Sequence, residues 1–157
     1  MTKRVLLSLS IAALFAAAAA FPADAFAQNY PDSVKQLVGN TKKEIPTIKL
    51  EQFKAAFDQN KLGLIVDVRQ EDEFADGHIP GAINVPRGLI EFTIWKHVGF
   101  PDKTDMSKQM TLYCKTGGRC SLATKSLRDL GFTNVTSADM TFESWVKAGY
   151  PVAKAAK

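Results

Sequence analysis

Two cysteines, two glycines and an arginine crowd into the stretch Cys114-Lys115-Thr116-Gly117-Gly118-Arg119-Cys120. A free cysteine ionises near pH ~8.5, and only its thiolate attacks well. Three features here lower that value for Cys114. The N–H groups from Lys115 to Arg119 can curl into an anion nest, with Gly117 and Gly118 supplying backbone freedom. A helix beginning near Cys120 points its positive end at the sulfur, and Arg119 and Lys115 add formal charge. The same cradle, including Thr116, would hold an anionic substrate. Arg119 offers a planar fork for oxyanions and Lys115 a more flexible point charge. No histidine or carboxylate stands in the segment to act as a base. The chemistry that fits is attack by, and departure of, a soft and stable sulfur anion. A lone cysteine at a strand end is as often an inert packing residue; the glycines and arginine after Cys114 weigh towards function. Cys120, in the first turn of a helix, reads first as a packing residue.

The elements around the loop must place it. Met110-Thr111-Leu112-Tyr113 is a short apolar strand running into Cys114. After the loop, Leu122, Ala123, Leu127 and Leu130 fall on one helical face. Upstream, Pro46 to Leu50 reads as an edge strand limited by its proline, and Leu50 to Asp58 as an amphipathic helix. Leu62 to Val68 is an apolar run stopped by charge, as in an interior parallel strand. A short helix over Glu71–Phe74, a turn-rich loop at residues 77–81, a strand at Ile83–Val85 and a helix over Leu89–Val98 follow. Residues 100–108 are polar and irregular, a candidate flap near the site. Asn134–Thr136 is the last strand and Phe142–Lys147 the last helix. Strands alternating with helices predict an α/β fold with a mostly parallel central sheet flanked by helices. Ligands of such sheets sit beyond the C-terminal ends of the strands, where Cys114 falls.

The chain's beginning reads differently. Lys3 and Arg4 precede an apolar run from Val5 to Phe21, and Ala25-Phe26-Ala27 supplies a small-residue cleavage site. Residues 1–27 are therefore expected to be a secretory signal peptide, removed on export to the periplasm, so the mature chain is not expected to stay inserted in a membrane. Export places both cysteines in an oxidising compartment, where a disulfide between Cys114 and Cys120 rivals catalysis. Residues 28–44 are expected to be a mobile lead-in with one short helix, Ser33 to Val38, ended by Gly39-Asn40. Residues 45–152 form one domain and residues 153–157 a tail. The whole chain is 46% hydrophobic and 23% charged, with a formal net charge of +4. That composition supports a core and excludes extensive disorder. The charge is too mild for nucleic-acid binding, and no basic run with interleaved aromatics appears. With His78 and His97 the only histidines, no metal site is expected, and no cofactor.

Three motifs carry a resemblance to the rhodanese homology domain, from about Ile45 to Val152. They are D-V-R-Q-E-D-E-F-A-D-G-H-I-P-G-A-I-N-V (Asp67 to Val85), the loop C-K-T-G-G-R (Cys114 to Arg119), and G-F-T-N-V (Gly131 to Val135) with Trp145 and G-Y-P-V following. The resemblance implies a sulfurtransferase. Cys114 would take the sulfane sulfur of thiosulfate, a small anionic donor, release sulfite, and hold a persulfide. Cyanide, a thiol or a protein acceptor would then remove the sulfur in a ping-pong cycle. Lys115, Thr116, Gly117, Gly118 and Arg119 would bind substrate, and Asp67 and Arg69 would stand behind the active loop. His78 lies in a turn and reads as structural. The loop has six residues, similar to sulfurtransferases, whereas related phosphatases and arsenate reductases resemble it with a seventh. Two positions depart from the family pattern. Ser137-Ala138-Asp139-Met140 stands where a glycine-rich turn is frequent, and Cys120 where serine is common. Cys120 could therefore pack passively, resolve the persulfide or form a regulatory disulfide. Two further readings remain open: a sulfur carrier without turnover, and a thiol–disulfide redox protein using both cysteines.

Overall fold

Each stretch of apolar β-formers becomes one strand of a single parallel sheet in the computed structural model, which describes residues 30–154. In chain order the elements are α1 (Asp32–Glu44), β1 (Thr47–Lys49), α2 (Leu50–Asp58), β2 (Leu64–Asp67), α3 (Glu71–Asp76), β3 (Ile83–Asn84), α4 (Ile90–Thr93), β4 (Met110–Tyr113), α5 (Gly118–Asp129), β5 (Val135–Asp139) and α6 (Phe142–Lys147). The strand order is β1-β5-β4-β2-β3, with every neighbouring pair parallel. The proline-limited strand β1 sits at an edge, and the wholly buried β4 lies in the middle.

Alternation along β4 sorts its side chains between two cores. Met110, Leu112 and Cys114 join Ala123 and Leu127 of α5 and Ile90 of α4 on one face. Tyr113 joins Phe53 of α2 and Trp145 of α6 on the other. The two-residue period thus carries Cys114, just past the strand end, to the α5 face. Among the described residues no helix is long and apolar enough to cross a membrane.

Three segments differ from the sequence-based expectation. Helix α1 does not end at Gly39-Asn40 but runs on to Glu44. A helical glycine costs about 1 kcal/mol against alanine, and tertiary contacts offset it. Thr41 is buried, Lys42 Nζ reaches Asp139 Oδ1 at 2.6 Å, and Val38 abuts Gly118 of α5, 3.7 Å from where a Cβ would stand. The expected helix over Leu89–Val98 is broken into a 3-10 turn (Arg87–Leu89), the single turn of α4, and a second 3-10 turn (Ile94–His97). Trp95 Nε1 donates to Glu91 O at 2.7 Å, taking the carbonyl that the Trp95 backbone N–H would use in a continuous α-helix.

The segment at 100–108 is not a flap over the thiol. Met106 O accepts from Thr133 N at 3.0 Å, which docks the segment where β4 and β5 begin, whereas Cys114 follows the opposite end of β4. Strand β5 also runs through Ser137, Ala138 and Asp139, so the residues standing in place of a glycine-rich turn are mostly strand. The expected signal peptide, residues 1–27, lies outside the described residues, as do residues 28–29 and 155–157.

Candidate active site

Tyr113 ends β4 with its carbonyl accepting from Val68 N at 3.0 Å, and Cys114 turns out of the sheet into the loop. The loop is held at both ends. Lys115 O accepts from Phe142 N of α6 at 3.0 Å, and Gly117 O accepts from Ser121 Oγ at 2.6 Å. Gly117 adopts φ +82°, and a Cβ there would stand 3.3 Å from Lys42 Nζ and 3.5 Å from the carbonyl oxygens of Ala138 and Met140. Both the left-handed backbone and the crowding call for glycine. This turn starts α5 at Gly118, two residues earlier than the sequence indicated, and brings the helix N-terminus to the sulfur.

Cys114 is 1% exposed. Its Sγ accepts the Cys120 backbone N–H at 3.4 Å and lies 3.5 Å from the Cys120 sulfur, within hydrogen-bond reach. The Cys114 thiol is lowered to about 6, first by the hydrogen bond from the Cys120 thiol. Burial opposes this; the N–H groups of Cys120 and Thr116 and the charge of Arg119 add to it. The thiol of Cys120 is pushed well up, by burial and by donating to Cys114. The two cysteines are not joined in a disulfide, and their opposite shifts favour the charge at Cys114 and the proton at Cys120. A nest and a helix end were legible in the sequence. The largest influence on the thiol, its neighbour Cys120, was read there as a packing residue first.

Arg119 is engaged. Its two terminal nitrogens reach the two carboxylate oxygens of Glu73, on α3, at 2.6 and 2.9 Å. Each side chain is about one-third exposed or less, at 33% and 27%. The hydrogen bond from Arg119 holds the Glu73 carboxyl below its usual range. Glu73 also accepts from the Gln70 backbone N–H, so one carboxylate both caps α3 and restrains the loop arginine. Glu73 was missed in the sequence; its place as third residue of α3 is a capping signal, but nothing local marks its partner across the fold.

Asp67 and Arg69 form a buried ion pair. Arg69 donates from Nε and a terminal nitrogen to Asp67, at 3.0 and 2.6 Å, and from that terminal nitrogen to Gly77 O at 2.7 Å. Its guanidinium also lies 4.0 Å from the Phe142 ring centroid, tying α3, the following turn and α6 to the end of β2. His78 stacks on Phe74 at 3.7 Å between ring centroids and exchanges backbone hydrogen bonds with Ala153.

A groove of about 660 Å³ opens between α1 and the loop. Tyr30, Val34, Val38 and Leu122 form an apolar wall, while Lys35, Lys115 and Arg119 bring positive charge. Thr116, Gly118 and Glu73 complete it; Cys114, next in the chain to Lys115, is buried and does not itself line it. Among the described residues no group of three or more histidine, cysteine, aspartate or glutamate side chains is placed to hold a metal ion.

Known proteins carry the same scaffold. A family model for the rhodanese-like domain matches residues 49–148. The Bacillus subtilis protein YrkF, provisionally named a sulfur carrier, is 30% identical over 64% of this chain, which spans about half (51%) of that relative's length. The thiosulfate sulfurtransferase GlpE of Pseudomonas savastanoi is 32% identical over 69% of this chain and 92% of its own. A solved structure of a Rhodopseudomonas palustris protein of unknown function, described as a possible tyrosine phosphatase, superposes with a TM-score of 0.65 at 28% identity. That superposition covers 76% of this chain and 93% of the other.

Proposed function

The chain belongs to the rhodanese-like domain family, and from that premise we propose that it is a sulfurtransferase working through a persulfide on Cys114. The observation that carries the proposal is a thiol lowered to about 6 beside a groove lined by Lys115 and Arg119. In the forward half-reaction, the Cys114 thiolate attacks the outer sulfur of thiosulfate. The S–S bond of the donor breaks and sulfite leaves with the electron pair. The transferred sulfur remains as the terminal atom of a persulfide, its charge met by backbone N–H groups at the start of α5. In the second half-reaction cyanide or a thiol attacks that terminal sulfur, and the Cys114 thiolate is the leaving group. Both departing groups are stable anions near neutral pH, so neither step demands a proton donor or a base.

Lys115 and Arg119 are the residues proposed to bind the sulfonate oxygens, with the backbone from Thr116 to Gly118 completing the cradle. Arg119 does this by sharing or exchanging its Glu73 contact, which its partial exposure permits. Asp67 and Arg69 fix the loop from behind. The six-residue loop from Cys114 to Arg119 favours sulfur transfer over phosphate-ester hydrolysis, the activity suggested by the description of the Rhodopseudomonas palustris relative. Export of the mature chain to the periplasm is proposed on the sequence of residues 1–27, and N-terminal sequencing of the protein from the periplasmic fraction tests it.

Thiocyanate formation from thiosulfate and cyanide tests the activity. The protein should turn over, and Cys114→Ala should not. Undiminished turnover in that variant, or phosphate release from an aryl phosphate with no thiocyanate formed, contradicts the proposal. A stable sulfur adduct without turnover favours the carrier role suggested by the name of YrkF.

A further inference from the structure

Transfer from a donor to an external acceptor gives the second thiol of the loop no covalent part. Cys120 is fully buried on the core side of the loop, packed in one cluster with Ala123 and Leu127. Its sulfur is 3.5 Å from that of Cys114. The Ser137 hydroxyl donates to that sulfur at 3.4 Å, and the carbonyl oxygens of Gly117 and Ala138 lie 3.4 Å from it. Lys42, anchored on Asp139, brings an ammonium group to the same turn.

We propose that Cys120 attacks the sulfur of Cys114 once Cys114 carries a sulfane sulfur, expelling hydrosulfide and leaving a Cys114–Cys120 disulfide. The proposal rests on the persulfide reading above. A bond forms between the two cysteine sulfurs, and the bond from Cys114 Sγ to the outer sulfur breaks. The electron pair leaves with the outer sulfur, which takes up the Cys120 proton and departs as HS⁻. That sulfur gains two electrons and the cysteine pair loses two. A small-molecule thiol reductant then reopens the disulfide by thiol–disulfide exchange. Over a cycle thiosulfate is reduced to sulfite and hydrosulfide by external thiols.

Loading with sulfur is what turns a hydrogen-bonded pair into reactants. In the unloaded loop Cys114 Sγ is an anion accepting a hydrogen bond, and attack on it is meaningless. In the persulfide the charge has moved to the outer atom, and Cys114 Sγ is a divalent sulfur open to displacement. The charge that develops on Cys120 as its proton is lost meets the Ser137 hydroxyl and the Lys42 ammonium. In-line displacement needs the outer sulfur on the side away from Cys120. The groove lies at Lys115, Thr116, Gly118 and Arg119, whereas Cys120 lies towards the core. A disulfide of about 2.05 Å requires the sulfurs to close from 3.5 Å, a movement on the scale of side-chain rotation. Proximity acts in the same direction: an external thiol must first enter the groove, while Cys120 is already in place.

The test uses reduced protein, freed of reductant without air, mixed with one equivalent of thiosulfate and no acceptor. Hydrosulfide should appear in step with sulfite, and peptide mapping should find Cys114 joined to Cys120. Cys120→Ser and Cys120→Ala should release sulfite more slowly, yield no hydrosulfide, and stay heavier by one sulfur. If the unaltered protein keeps the added sulfur and gives no hydrosulfide, internal attack is overturned and the persulfide stands. Hydrosulfide release undiminished in both Cys120 variants overturns it equally. Absence of sulfite overturns the persulfide and the internal attack together.

Discussion

Two arginine–carboxylate pairs flank the active loop, alike in chemistry and opposite in setting. Arg69–Asp67 is sealed, with side chains 5% and 0% exposed, whereas Arg119–Glu73 is about one-third open. Arg69 spends its remaining donor capacity on a backbone carbonyl and its face on Phe142. Nothing mobile can compete for it. Arg119 lines the groove and is held by a single carboxylate across the fold, so an incoming anion can compete. Burial thus divides a pair that fixes the scaffold from a pair open to an exchange of partners.

Breaking the sealed pair should have the largest effect. Asp67→Ala leaves a buried guanidinium without its carboxylate, and the loss should be about 3–5 kcal/mol of unfolding free energy. Denaturant titration measures it. A loss no larger than that of an exposed pair would erase the distinction. Arg119→Ala should cost less than about 1 kcal/mol of stability but lower kcat/KM for thiosulfate by roughly tenfold or more, as a charge-assisted contact to substrate disappears. If its stability falls as far as that of Asp67→Ala, the second pair is scaffold too.

Titration sharpens the same contrast. The Cys114 thiol ionises at about 6, so kcat/KM for thiosulfate should rise with pH through about 6 and then level. Below that point the thiolate is protonated and activity falls. Arg119→Ala should move the inflection upwards, because it removes a positive charge that favours the thiolate. Cys120→Ala should move it further, because it removes the hydrogen bond that contributes most. An inflection unmoved in Cys120→Ala would show that the second thiol does not govern the first. The smallest effect expected is that of Glu73→Gln. Weakening the hold on Arg119 should lower KM for thiosulfate by a small factor, read from steady-state kinetics; a raised KM would mean that Glu73 positions Arg119 rather than restraining it.

What could be read in advance follows from how local each cause is. The order of strands and helices, the limits of α2 and α6, and the place of Cys114 at a strand end are written in periodicities and turns. The loop residues from Cys114 to Arg119 announce themselves by type and spacing. Glu73 does not, because its meaning depends on α3 lying beside a loop 46 residues later. Gly39-Asn40 resembles a helix stop, and only the packing of Val38 and the Lys42–Asp139 contact carries α1 past it. Residues 100–108 suggested a flap because composition marks a loop but not the end of the sheet at which it lies. The largest influence on Cys114 comes from Cys120, whose identity was plain while its hydrogen bond was not.

Intact-mass measurement of the protein after brief exposure to thiosulfate, quenched by acid before any acceptor is added, tests sulfur transfer through Cys114 most directly. Sulfur transfer requires a species heavier by one sulfur, with the addition mapped to Cys114 and absent from Cys114→Ser. At longer times that species should give way to the internal disulfide. An unchanged mass at every quench time, with no sulfite released, or an equal gain in Cys114→Ser, would contradict it.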